Sequence, residues 1–222
     1  MNGFRGSDNG VAVIGLGRFG GQVAASLERL GHEVLAIDAN PALVQQWADK
    51  LTHVVEADAT DEDALRQLGV HDLPRAVVGI GTVIEASVLT VIGLVELGMK
   101  DIWAKAITHK HGKILQRIGA HHVVYPEATM GERVAHLVTG KMIDFIELDD
   151  GYAICKTRAP KEAVGRSLGD SALRSKYGIT VVGLKRPGRA FTYARPETMV
   201  EPDDLLIVSG STKDVEKFAA IT

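Results

Sequence analysis

Val11-Ala12-Val13-Ile14-Gly15-Leu16-Gly17-Arg18-Phe19-Gly20 decides the fold of this chain. Four apolar residues form a strand, and Gly15-x-Gly17-x-x-Gly20 then has the spacing of a loop that turns into a helix. Each glycine has its own physical reason. The first permits the tight turn out of the strand, the second lets backbone approach a diphosphate, and the third lets helix and sheet pack closely. Amides at the helix N-terminus then receive the anion. A second apolar stretch, Leu35-Ala36-Ile37-Asp38, ends in a carboxylate 23 residues after Gly15. A carboxylate there is placed to accept hydrogen bonds from ribose hydroxyls and favours an unphosphorylated 2′ position. Together these features read as a site for an adenosine-type nucleotide.

Outward from the loop, residues 1–140 alternate between short apolar runs and segments of helical period. The runs fall at 11–14, 33–37, 53–56, 76–80, 102–106 and 123–125. Val23, Leu27 and Leu30 share one helix face, and Gly31 is the stop signal. Asn40-Pro41 reads as an N-cap followed by proline at the first helical position, and Thr60-Asp61-Glu62-Asp63 as a capping box. Such alternation implies right-handed βαβ units. The fold class is α/β, a Rossmann-like doubly wound parallel sheet with helices on both faces. Ligands of such sheets lie beyond the carboxyl ends of the strands. Glu56-Ala57-Asp58-Ala59-Thr60, closing the third strand, and Ile80-Gly81-Thr82, closing the fourth, therefore join the same pocket.

The rhythm changes after Gly140, where the helix over 127–139 is expected to stop. Residues 142–148 read as an extended connector. Shorter strands are expected at 152–158, 180–185 and 204–209, with helices at 171–176 and 212–220. Turn signals stand at Asp149-Asp150-Gly151 and Pro187-Gly188. Residues 141–222 thus form a linker and a smaller α+β domain, small enough that it is expected to pack against a copy of itself.

Composition narrows the function classes. Of 222 residues, 45% are hydrophobic, which supports a real core, and 25 basic against 28 acidic side chains leave a net charge of −3. That balance lacks the basic footprint of a protein that binds nucleic-acid polymers. The single cysteine, Cys155, excludes an intrachain disulfide and reads as a small buried residue on a strand in a reducing compartment. No window approaches the roughly 18 apolar residues of a membrane span. The most apolar helix, 84–97, carries Glu85 and Glu96, and MNGFRGSDNG at the start has no apolar signal segment. A soluble, cytoplasmic protein is expected.

Arg18 is the unusual residue of the loop. An arginine at a helix start faces the positive end of the macrodipole, which is unfavourable unless an anion is present. A terminal phosphate supplies that anion in bidentate geometry, whereas a dinucleotide offers only its central diphosphate. Arg18 therefore favours ATP or ADP over NAD(H). No Ser-His-Asp context, nucleophile elbow or zinc spacing is found. His121 and His122, adjacent on a strand, point to opposite faces and do not chelate one ion. The chain reads as a non-enzyme. The alternatives are an NAD-dependent oxidoreductase or NAD(H)-binding redox sensor, and a structural ring component whose nucleotide is never exchanged.

The ordered series VAVIGLGRFG, LAIDAN, EADATDEDAL, VGIGTVIEAS, IWAKA, ILQRIGAHHVVYPEATMGERVA and EPDDLLIVSG resembles the KtrA/TrkA family over nearly the whole chain. These are regulatory subunits of bacterial potassium uptake systems, built from RCK (regulating conductance of potassium) domains. A single RCK unit places the chain nearer the KtrA type than tandem TrkA. The resemblance implies an N-terminal lobe that dimerises, and dimers that form an octameric ring under a KtrB/TrkH-like membrane potassium-translocating subunit. The ring would be cytoplasmic, peripheral at the inner face of the membrane. ATP and ADP would compete for each lobe, and their exchange would change ring shape and ion flux. By position, Gly15, Gly17, Phe19 and Gly20 would form the nucleotide loop and Arg18 would meet the phosphates. Asp38 would take the ribose, beside Ala39 and Asn40. Asp58 and Ala59 would flank adenine, where the contact in relatives can be Asn-Ala, and Ile80, Gly81 and Thr82 would line the pocket. Lys105 and His111 would approach the phosphates. Glu127 would sit near the terminal phosphate at the dimer interface and join a Mg2+ or Ca2+ site. The C-terminal lobe resembles the TrkA_C domain, which in some relatives binds cyclic di-AMP between two copies. Residues 168–184 are apolar enough for such a dimer, but nothing in them identifies that ligand.

Overall fold

The alternation of the N-terminal half becomes six strands: β1 (Gly10–Ile14), β2 (Glu33–Asp38), β3 (His53–Glu56), β4 (Arg75–Val78), β5 (Ile102–Lys105) and β6 (His122–Val124). They pair in parallel in the order β3-β2-β1-β4-β5-β6. This structure is a computed structural model that describes residues 9–139 and 141–222. Residues 1–8, in which the sequence shows no apolar signal segment, and Gly140, the expected helix stop, lie outside the described residues.

Strand period 2 divides the core in two. Val11 and Val13 pack with Ala24 of α1 (Arg18–Arg29) and Trp47 of α2 (Pro41–Ala48). Ala12 and Ile14 pack on the opposite face, with Leu65 of α3 (Glu62–Gln67), Leu94 of α4 (Ile84–Glu96) and Leu115 of α5 (His109–Arg117). The sheet is therefore doubly wound.

Gly31 ends α1 at φ 86°, and the Asn40 side chain accepts the Ala42 amide at the start of α2, with Pro41 at its first position. The cap of α3 differs from expectation. Asp61 accepts the amides of Asp63 and Ala64, while Thr60 turns back to Asp58. Both residue types cap helices well, and the side chain adjoining the first helical residue takes the role.

The chain divides into two compact units between Glu127 and Ala128. α6 (Pro126–Thr139) therefore lies almost wholly in the second unit, whereas the sequence rhythm changes only at 140. In that unit β7 (Asp144–Leu148), β8 (Tyr152–Arg158), β9 (Thr180–Lys185), β10 (Phe191–Tyr193) and β11 (Leu205–Ser211) form an antiparallel sheet, ordered β10-β9-β11-β8-β7. The expected connector is the edge strand β7, paired with β8 across a turn in which Asp150 (φ 61°) and Gly151 (φ 70°) are left-handed. Strand β10 has no counterpart in the sequence reading, and its three residues are all exposed. The single helix expected at 171–176 is two, α7 (Leu168–Ser171) and α8 (Leu173–Tyr177), broken where Ala172 adopts φ 50°. α9 (Thr212–Ala220) buries Val215 and Phe218 in a core that includes Cys155, Leu184 and Leu206. Arg133 of α6 forms an ion pair with Asp144, and His136 stacks on Phe145 with ring centroids 4.2 Å apart. Among the described residues no helix is long and apolar enough to cross a membrane.

Candidate nucleotide-binding site

The strand order reverses between β1 and β4, and ligands of doubly wound sheets sit at such switch points. A cleft of about 770 Å³ opens there, a volume in the range of small-molecule sites. Every residue that the sequence assigned to the nucleotide pocket lines it except Gly20, Glu56 and His111.

Close backbone packing forms its floor. Gly15, at φ 90°, donates its amide to the Ile37 carbonyl at 2.8 Å, and Gly79 donates to the Ile14 carbonyl at 2.7 Å. A Cβ on Gly20 would stand 1.9 Å from the Gly15 carbonyl oxygen, so Gly20 serves helix–strand packing. A Cβ on Gly17 would meet nothing within 4 Å. That space is open to a ligand.

At the end of β2, Asp38 accepts the Leu16 amide at 2.5 Å through Oδ2 and the Asn40 amide at 2.8 Å through Oδ1. Each oxygen keeps a lone pair for a ribose hydroxyl. Beyond β3, Asp58 accepts the Thr60 amide at 2.9 Å and the Thr60 hydroxyl at 2.7 Å. These bonds, the backbone one first, hold its carboxyl below the usual range against a smaller opposing effect of burial. An ionised carboxylate there is an acceptor only, suited to an exocyclic amino group.

The cationic end of the cleft holds Arg18 and Lys105. Arg18 opens α1, whose first turn carries no acid and whose N-cap, Gly17, offers no side chain. Lys105, 11% exposed, places Nζ 2.5 Å from Oε1 of Glu127 and 5.7 Å from the centroid of Phe19. The Lys105 hydrogen bond holds the Glu127 carboxyl below its usual range, outweighing desolvation, and the charge of Arg18 adds to the effect. Among the described residues, no group of three or more His, Cys, Asp or Glu side chains is arranged to hold a metal ion. A cation at Glu127 would need oxygens from elsewhere, such as phosphate.

His111 lies outside the lining. It is buried, and Nδ1 accepts the Ile107 amide at a long 3.4 Å, while Nε2 has no partner among the described residues. Burial lowers its pKa, which disfavours the charged ring. The α5 N-cap, Thr108, accepts the His111 backbone amide at 3.1 Å.

The sequence reading missed Gly79. A Cβ there would stand 2.9 Å from the Gly15 carbonyl oxygen. The signal was present, since Gly79-Ile80-Gly81 repeats the glycine spacing at the end of a second strand. Leu43, Val83, Ala86 and Ile107 complete the apolar walls. These apolar contacts have no motif.

Fold and cleft together define a Rossmann-type nucleotide-binding unit followed by a small antiparallel domain. Residues 11–126 match the TrkA-N domain and residues 157–222 the TrkA-C domain. The chain belongs to the TrkA-N/TrkA-C family, and among its relatives it is KtrA-like. It is 39% identical over 208 residues to Ktr system potassium uptake protein A of Bacillus subtilis (strain 168), covering 93% of this chain and 94% of that one. It is 35% identical to Ktr system potassium uptake protein A of Vibrio alginolyticus, covering 91% and 93%. The solved GsuK RCK domain superposes with a TM-score of 0.68 at 19% identity, over 100% of this chain and 48% of that one. The chain thus spans about half the length of that solved protein.

Proposed function

We propose that this chain is the regulatory subunit of a potassium uptake system, binding ATP or ADP in the cleft and controlling ion flux through a separate membrane protein. The observation that carries the nucleotide choice is that Arg18 and Lys105 both line the cleft together with Asp38 and Asp58, and both act on the Glu127 carboxylate. Two cations exceed what the central diphosphate of a dinucleotide requires, and match a chain of two or three phosphates on an adenosine. Kinship with the Ktr potassium uptake proteins supplies the physiological setting.

In this reading ATP and ADP differ at Glu127. The γ-phosphate would displace or bridge to that carboxylate through Mg2+ or Ca2+, since hard divalent ions prefer oxygen ligands. ADP would leave the Lys105–Glu127 pair in place. Protomers would dimerise through the N-terminal unit and assemble into a ring on the cytoplasmic face of the membrane, against a potassium-translocating partner.

Calorimetric titration with ATP, ADP, NAD and NADH tests the reading. ATP and ADP are expected to bind and to displace one another. Tight NADH binding without any ATP heat would sink it in favour of a redox sensor.

A further inference from the structure

Trp47 lies on α2 one helical turn beyond Leu43, which lines the cleft. The Trp47 side chain stays out of the cleft. It is 5% exposed, and its Nε1–H donates to the Leu16 carbonyl oxygen at 2.9 Å. The Leu16 amide is held on its other side by Asp38. Both peptide groups of Leu16 are therefore fixed by side chains, between two glycines that would otherwise leave the loop most free to rotate.

In a planar trans peptide the N–H and C=O point in opposite directions. Fixing the Leu16 carbonyl on the indole thus turns the Gly17 N–H away from α2. Gly17 lines the cleft with open space around it. The indole also seats against the first turns of α1, where a Cβ on Gly21 would stand 2.1 Å from the ring. One side chain thereby sets both the loop and the helix start that together form an anion site.

We infer that Trp47 is a positioning residue for the phosphates of the bound nucleotide. Its indole N–H presets the glycine loop to receive a diphosphate, while the adenosine half is recognised by Asp38 and Asp58 without it. The inference rests on the adenine-nucleotide reading above. It also explains Gly21, which the diphosphate fingerprint does not require. A larger residue there would expel the indole.

Trp47→Phe keeps an aromatic ring in the core and removes the N–H. Compared with wild type, the variant is expected to bind ADP roughly three- to tenfold more weakly, the effect of one hydrogen bond. Adenosine should bind as before. Equal loss for ADP and adenosine would make Trp47 a core residue only, and no loss for either would remove its role altogether. A wild-type protein that binds no adenine nucleotide would remove the proposal together with the reading it rests on. Should Trp47→Phe fail to fold, Trp103→Phe leaves Trp47 as the sole tryptophan of the chain. Phosphate on the Gly17 amide polarises the peptide group whose carbonyl meets the indole. ADP is therefore expected to shift the Trp47 emission and adenosine to leave it unchanged. Saturation with ADP without any shift would overturn the proposal.

Discussion

Lys105 Nζ lies 2.5 Å from Glu127 Oε1, although 22 residues separate them in the chain and only the carboxylate is well exposed. The mostly buried ammonium needs an anion, and in this structure Glu127 provides it from the start of α6. A nucleotide phosphate would compete for the same cation. In the proposed function, this pair would be the point at which the length of a phosphate chain is read.

Divalent ions are expected to tighten ATP binding more than ADP binding, because Glu127 and a γ-phosphate would otherwise repel across a short gap. Glu127→Gln should remove that enhancement while leaving ADP affinity nearly unchanged. Calorimetry with and without magnesium or calcium measures it. A variant that keeps the full ion dependence would leave Glu127 as a helix-start carboxylate.

The same pair has a pH signature. Its folded-state pKa lies below the unfolded one, chiefly because of the Lys105 hydrogen bond. Its contribution to stability is therefore present above the unfolded value of about 4.3 and is lost as pH falls through the folded one. The difference in urea midpoint between wild type and Glu127→Gln should be constant near neutrality and shrink below about pH 4. A difference that grows with acid would contradict the assignment.

Arg18→Ala should weaken ATP by about tenfold or more, the effect of a charge-assisted hydrogen bond, and ADP by less. Competitive titration gives both constants. Equal losses would place the guanidinium at the inner phosphates.

Gly20→Ala tests the packing reading of the third glycine. A Cβ 1.9 Å from a backbone oxygen cannot be relieved by a side-chain rotation. Overpacking of this kind costs about 1–3 kcal/mol or more. A lowered melting temperature and loss of nucleotide binding are expected together. An unchanged melting temperature would show that α1 can slide away from β1.

Burial pushes the Cys155 thiol up to about 11, and the residue is 1% exposed on β8. Thiolate is the reactive form. At pH 8 the folded protein should resist thiol-directed reagents, and labelling should follow the unfolding of the C-terminal unit in urea. Rapid labelling without denaturant would contradict the burial.

The sequence by itself determined what depends on neighbouring residues. The β1–loop–α1 unit, the Asp38 carboxylate, the Asn40-Pro41 helix start and the alternation that makes a doubly wound sheet are set by backbone geometry and period over short stretches. Each is local physics, so each was legible. Tertiary structure decided whatever requires two distant segments to meet. Trp47 reaches Leu16 across 31 residues, and Gly79 matters because Gly15 and Gly20 pack on it. No periodicity encodes such meetings. His111 was the right residue type for a phosphate contact, yet its side chain is buried, with Nδ1 accepting the Ile107 amide from a segment outside its own helix. Strands β7 and β10 were missed for a related reason. An edge strand buries little, only Phe145 fully in β7 and nothing in β10, so its apolar pattern is weak. What makes each a strand is the hydrogen-bonding edge of β8 or β9 beside it, and that edge exists only once the sheet has formed.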